Sequence, residues 1–257
     1  MKSITSAKSI FVEASLKRVV YYGLILLLLQ SFCSASATDL TIAAENKAPP
    51  FSNEKGEGYS FDIINAIFEN SDYRISFVSL PYPRAVASVK AGLVDAAFHL
   101  TKQLDSETSL IFGEEPLVTS SAYFYYAIST TENYDSIDKL PSQISIGVMN
   151  GFEYGKQFEE QKSRFVLVKA VDQKQLISML VNRRVDVVIM YEDIANYTMK
   201  QLQSQQHLIR KGHVVVSSDA YLALSSSTPN AKQIIAFIDS QLKSLKESGK
   251  YQAIFTK

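Results

Sequence analysis

The chain of 257 residues has no tryptophan, one cysteine and only three histidines. A single cysteine, Cys33, excludes an internal disulfide and any paired-cysteine metal site. His99, His207 and His213 are not at metal-ligand spacings, so no metal is expected. No serine sits in a G-x-S-x-G elbow, which argues against the nucleophile geometry of the α/β-hydrolases. The glycine–lysine signature of a phosphate loop is missing too, so Asn150-Gly151 reads as a turn and no cofactor is expected. Neither sign of charge dominates. With 26 basic and 26 acidic residues and no block of like charge, nucleic acid is not an expected partner. The apolar run Val19 to Leu29 falls short of the roughly 20 residues that span a bilayer.

That short run has a different context. Lys2, Lys8, Lys17 and Arg18 precede it, and Ala35-Ser36-Ala37 follows it. A basic start, an apolar stretch and small residues at the end make a secretory leader, residues 1–37, with cleavage expected after Ala37 and delivery to the periplasm. An uncleaved anchor is the alternative. Lipid attachment at Cys33 is disfavoured by the preceding Phe32. Removing four basic residues and one acidic residue from the two totals of 26 leaves 22 and 25, a net charge of about −3. The mature chain would have no cysteine, so its core alone must hold it. About 220 residues suffice for that.

The remaining chain reads as two similar halves. The first has a strand at Leu40–Ala43, a helix with Phe61, Ile64, Ile67 and Phe68 on one face, and a strand at Ile75–Val78. A helix from Arg84 to about Ala91, stopped by Gly92, then leads to a strand at Val94–Phe98. The second has a strand at Ile144–Val148, a helix to about Gln161, and a strand at Phe165–Val168. A helix carrying Leu176, Met179 and Leu180 then leads to a strand at Val185–Ile189. The recurrence of about 90 residues is too long for a solenoid. It predicts two α/β lobes, each with a largely parallel sheet; one continuous doubly wound sheet is the alternative. Tyr123–Ile128 and His213–Leu224 have strand composition and lie between the halves, so they are the expected hinges. A final helix, Ala231–Leu245, turns Ile234, Ile235, Phe237, Ile238 and Leu242 to one side. The lobes are then 38–126 with 217–257, and 127–216.

Several motifs now carry a resemblance. Pro49-Pro50-Phe51 with Gly58-Tyr59-Ser60-Phe61-Asp62-Ile63, then Gly92-x-x-Asp95, then Leu242 to Tyr251 with Ile254, resemble in order the opening, middle and closing elements of the bacterial extracellular solute-binding proteins of family 3. That family includes the amino-acid receptors of ABC importers. The resemblance spans essentially the whole mature chain. It implies an α/β, type II periplasmic-binding-protein fold: two lobes, a ligand in the cleft, two hinge strands and closure by bending. It also implies a monomer that captures a small polar molecule and delivers it to an ABC permease. A stand-alone protein feeding a membrane sensor is the alternative, and an enzyme using cleft carboxylates (Glu45, Glu153, Glu192) is a weaker one. The closing motif lies at the chain's end, so no fused module is expected.

Ligands of open α/β sheets sit beyond the carboxyl ends of the strands. That rule selects Glu45, Tyr82, Arg84, His99, Lys102, Asn150, Tyr191 and Glu192 as candidate ligand-binding residues. Pro83 suits a first helical turn and would set Tyr82 and Arg84 at the helix start. Arg84 then offers a planar fork to an anionic group. The resemblance implies that Tyr82 packs on the ligand and that Glu45 faces a ligand ammonium. Two departures stand out. The family's "T-x-x-R"-like element reads here from Thr101-Lys102 to Glu107-Thr108 with no arginine, and Tyr191 stands where an aspartate is common. Common α-amino acids are therefore expected to bind weakly, with Arg84 or Lys102 as replacement cations.

Overall fold

A computed structural model describes residues 38–102, 109–202 and 206–256. The leader with Cys33 and its cleavage site, and the segment containing Glu107, lie outside the described residues. No helix among the described residues is long and apolar enough to cross a membrane.

The first half builds β1 (Thr38–Glu45), α1 (Tyr59–Phe68), β4 (Tyr73–Leu80), α2 (Tyr82–Lys90) and β5 (Ala96–Leu100). Between β1 and α1 lies a small antiparallel pair, β2 (Lys47–Ala48) and β3 (Ser52–Asn53). The second half builds β8 (Ser145–Met149), α3 (Lys156–Gln161), β9 (Val166–Ala170), α4 (Gln173–Val181) and β10 (Val187–Tyr191). The strand orders correspond. β1 lies between β4 and β5, and β8 lies between β9 and β10. The β1–β5, β8–β9 and β8–β10 pairs are parallel.

One detail explains why the two halves share a valine–aspartate pair before the third strand. The Thr41 N–H on β1 donates to the Asp95 carboxylate at 2.8 Å, and the Ser145 N–H on β8 donates to that of Asp186 at 2.9 Å. Each aspartate thus satisfies an N–H of its central strand just before the parallel ladder to the third strand begins. Gly92 has φ of 68° and turns the chain out of α2. Gly58, with φ of 134°, admits no side chain, because a Cβ would overlap the Phe51 carbonyl.

Two long strands join the halves. β7 (Val118–Ala127) and β11 (Ile209–Ser225) pair antiparallel from Ile209 opposite Ala127 to Ala220 opposite Val118. The end of β11 then pairs with β5 and with the short β6 (Leu110–Phe112). His213–Val216 and Tyr221–Leu224 are therefore parts of one 17-residue strand. Two main cores form, although Ile194 of the second half joins the first. Leu117, Val118 and Leu222 pack with Ile42, Phe61 and Ile64, whereas Ala122, Phe124 and Tyr126 pack with Ile146, Val187 and Ile189. Residues 122–126 thus pack in the second core, although a boundary at 126 would assign them to the first.

α5 (Glu192–Gln201) follows directly on β10. At the carboxyl end, α6 (Ala231–Glu247) covers the first core through Ile234, Ile235, Ile238 and Leu242. Gly249, with φ of 75°, ends it and starts α7 (Lys250–Ile254). The Tyr251 hydroxyl donates to the Leu117 carbonyl at 2.8 Å, which ties this last element back to the start of β7.

Candidate ligand-binding site

The carboxyl ends of β1, β5 and β10, the loop after β8, the start of β7 and the middle of β11 converge on a cavity of about 70 Å³. The first lobe contributes Glu45, which ends β1 and is only 3% exposed. Glu45 Oε2 lies 3.0 Å from His99 Nδ1, and Ser60 Oγ lies 2.8 Å from His99 Nε2. With the ring neutral, Nδ1–H donates to the carboxylate and Nε2 accepts from the hydroxyl. The edges of Phe51 and Phe98 meet the imidazole at 5.9 and 4.7 Å between centroids. His99 has φ of 64°, a left-handed backbone that costs a non-glycine residue about 1–2 kcal/mol. Such strain persists where surrounding contacts fix a side chain at a working site.

Serine, histidine and carboxylate in a chain would suit a nucleophile if the serine were accessible. Ser60 is fully buried in α1 and is not part of the cavity wall. The chain of bonds therefore positions Glu45 and His99.

The second lobe contributes Phe152 and Glu153 from the loop after β8, Tyr191 from the end of β10 and Ile194 from α5. The Phe152 ring meets Tyr82 of α2 at 5.2 Å and Tyr191 at 6.2 Å, both edge to face. The Tyr191 hydroxyl donates to the Glu153 carbonyl at 3.0 Å. Across the cleft the Thr101 hydroxyl donates to the Glu153 carboxyl at 2.5 Å. Gly151 faces Pro83 so closely that a Cβ would come within 2.7 Å of the ring. The lobes therefore touch, and the cleft is closed.

Burial sets the electrostatics. It raises the Glu153 carboxyl above its ordinary range, against a smaller opposing contribution from the Thr101 hydrogen bond. It raises the Tyr82 and Tyr191 phenols as well, so both remain neutral hydrogen-bonding groups at physiological pH. Val118 and Ser120 of β7, with Ser218 and Ala220 of β11, close the back of the cavity.

Of the eight residues expected from the sequence, Glu45, Tyr82, His99 and Tyr191 line this cavity and the other four do not. Arg84 is exposed. On α2 it lies two residues after Tyr82, which is about 200° around the helix, so the two cannot share a face. Lys102 is exposed and holds its Nζ 4.5 Å from the centroid of the Tyr221 ring, outside the cavity. Asn150 is exposed, and its N–H continues the sheet by donating to the Ala170 carbonyl. Glu192 begins α5 and pairs with Lys211 at 2.5 Å. The eight omitted Phe152, Glu153 and Thr101. All three stand in the loops that the strand-end rule selects, but acidic and aromatic loop residues are common and nothing local distinguishes these. Among the described residues no cluster of three metal-ligating side chains occurs.

No family model matches the chain. It is 26% identical over 241 residues to the arginine-binding periplasmic protein of Mannheimia haemolytica, covering 91% of this chain and 96% of that one. A histidine kinase sensor domain similar to periplasmic binding proteins superposes with a TM-score of 0.74 at 13% identity, over 86% of this chain and 96% of the other. An ancestral amino-acid-binding protein, a precursor of cyclohexadienyl dehydratase, superposes with a TM-score of 0.69 at 16% identity, over 85% and 93%. The chain therefore has the two-lobed fold of the periplasmic binding proteins.

Proposed function

We propose that the protein is a periplasmic solute-binding protein that encloses a small molecule between its lobes and presents it to an ABC importer. One observation carries this reading. A single cavity is walled by strand ends from both halves and backed by the two strands that connect them, so occupancy and the lobe-to-lobe angle are coupled. The similarity to an arginine-binding periplasmic protein supports the same class of activity. The leader in residues 1–37 supports export, with Thr38 as the first mature residue. We place the lobe crossings near residues 119–121 and 217–219, because the core contacts change allegiance there. The site binds rather than reacts: each of its two carboxyl groups is held by a neighbour, Glu45 by His99 and Glu153 by Thr101, and the one serine in that hydrogen-bonded chain, Ser60, is buried away from the cavity. The protein acts as a monomer. The likeness to a kinase sensor domain favours delivery to a membrane receptor as a second reading.

Native mass spectrometry of protein gently released from the periplasm should find a bound small molecule. Small-angle scattering should then show a smaller radius of gyration with that molecule than without it. An identical scattering profile at proven occupancy rejects closure, and turnover of the compound rejects the binding assignment.

A further inference from the structure

The cavity lining has a pronounced charge bias. Its ionisable groups, tyrosines aside, are Glu45, Glu153 and His99, and none of the described residues that line it is a lysine or an arginine. Lys90 and Lys162 influence Glu153 only from a distance, and both are exposed. Several side-chain donors in the wall are already engaged. Both ring nitrogens of His99 are taken by Glu45 and Ser60, the Thr101 hydroxyl is given to Glu153, and the Ser120 hydroxyl is given to Asp193. A ligand carboxylate enclosed here would lie beside two acidic groups and have no cation to meet it, a costly burial. A ligand cation would meet the reverse situation. Phe51, Tyr82, Phe152 and Tyr191 present four aromatic rings around the same space, and ring faces attract cations most when water is excluded.

We propose that the ligand is a compact organic cation without a carboxylate, held among the rings of Phe51, Tyr82, Phe152 and Tyr191 and counter-charged by Glu45 and Glu153. This rests on the solute-binding reading above and narrows it. Because the lobes already touch at Gly151 and Pro83 and Thr101 reaches Glu153 across the cleft, the enclosed space favours a small amine or a quaternary ammonium over a long polyamine.

Matched pairs test the proposal. Calorimetric titration of the purified, ligand-stripped protein compares agmatine with L-arginine, cadaverine with L-lysine, putrescine with L-ornithine, and choline with glycine betaine. At least one cation should bind tenfold or more tightly than its carboxylate-bearing partner. Glu153→Gln should weaken that cation at least tenfold while the ligand-free melting temperature stays within a few degrees. Should that variant fold poorly, Tyr82→Leu provides the second measurement, with the same loss expected. An amino acid or betaine that binds as tightly as its matched cation overturns the proposal and leaves the solute-binding reading intact. So does closure around an uncharged or anionic compound when none of the four cations binds. A protein that closes around no compound of any class removes the solute-binding reading itself.

Discussion

The two walls of the cleft hold their carboxylates in different ways. Glu45 is fixed entirely within the first lobe, through His99 to Ser60, and those bonds need nothing from across the cleft. Glu153 belongs to the second lobe, but its carboxyl finds its hydrogen-bond donor, Thr101, in the first. One wall is organised in advance. The other is completed only when the lobes meet. Preorganisation on one side lowers the ordering cost of binding, and a cross-cleft bond on the other makes closure specific.

Breaking the preorganised wall should have the largest effect. His99→Ala leaves the buried Glu45 carboxylate without its partner, which costs roughly 3 kcal/mol. For a chain of this size that corresponds to a melting temperature lower by about 6–12 °C. Ser60→Ala removes one neutral hydrogen bond and should cost only about 1 kcal/mol. Scanning calorimetry of both variants checks the ranking. Equal losses would mean that Glu45 does not depend on His99.

The completed wall should respond in affinity more than in stability. Gly151 has φ of 84° and lies against Pro83 of the opposite lobe. Gly151→Ala adds left-handed strain in any state, and adds the collision with Pro83 only in the closed one. Ligand affinity should fall about tenfold, equivalent to roughly 1.4 kcal/mol. Titration against wild type measures it. Unchanged affinity would mean that this loop and α2 stay apart in the liganded protein.

The same contrast governs what the sequence reveals. Repetition at about 90 residues anticipates the matching strand orders of the two halves, because hydrophobic periodicity is a local property. Glycines 58 and 92 and the aspartates 95 and 186 are legible for the same reason. The site is only half legible. Strand-end logic selects the correct loops, yet which residue of each loop faces inward depends on helix phase and on lobe contact. Arg84 offers a charge and a planar fork, and two residues of helical rotation turn it outward. Thr101 and Glu153 meet across 52 positions of sequence, a pairing that only closure creates. The α5 helix has no counterpart in the sequence reading, because its acidic start at Glu192-Asp193 masks the short inner face that Ile194 and Ala195 bury.

A weaker effect should follow from pH. The closed cleft raises the Glu153 carboxyl by burial, whereas in an open cleft the same group lies nearer its ordinary value of about 4.3. Between those two values the closed form binds more protons than the open form. Closure of the empty protein is therefore strengthened as pH falls through the raised value and weakened as pH rises through it. Scattering profiles recorded from neutral to mildly acidic solution should show a modest decrease in radius of gyration. Glu153→Gln should abolish the trend. A trend that survives the substitution would show that Glu153 is not the group that takes up the proton.

The smallest effect expected is at Arg84. On sequence grounds its guanidinium is the natural anchor for a ligand anion. In the structure it is exposed on the first turn of α2, beside Tyr82 in sequence but on another face of the helix. A solvated charge at that position is screened by water and salt, and its influence on a group inside the closed cleft is slight. Arg84→Ala should therefore change the affinity of whichever compound binds by less than about twofold, an amount below 0.5 kcal/mol. Tyr82→Ala, two residues earlier, removes a ring from the cavity wall and should greatly weaken the same compound. Titrations of the two variants side by side separate a wall residue from its neighbour in sequence. A tenfold loss at Arg84 would mean that α2 turns in the liganded protein to bring the guanidinium into the cleft, and the cavity would then gain the cation that its lining lacks.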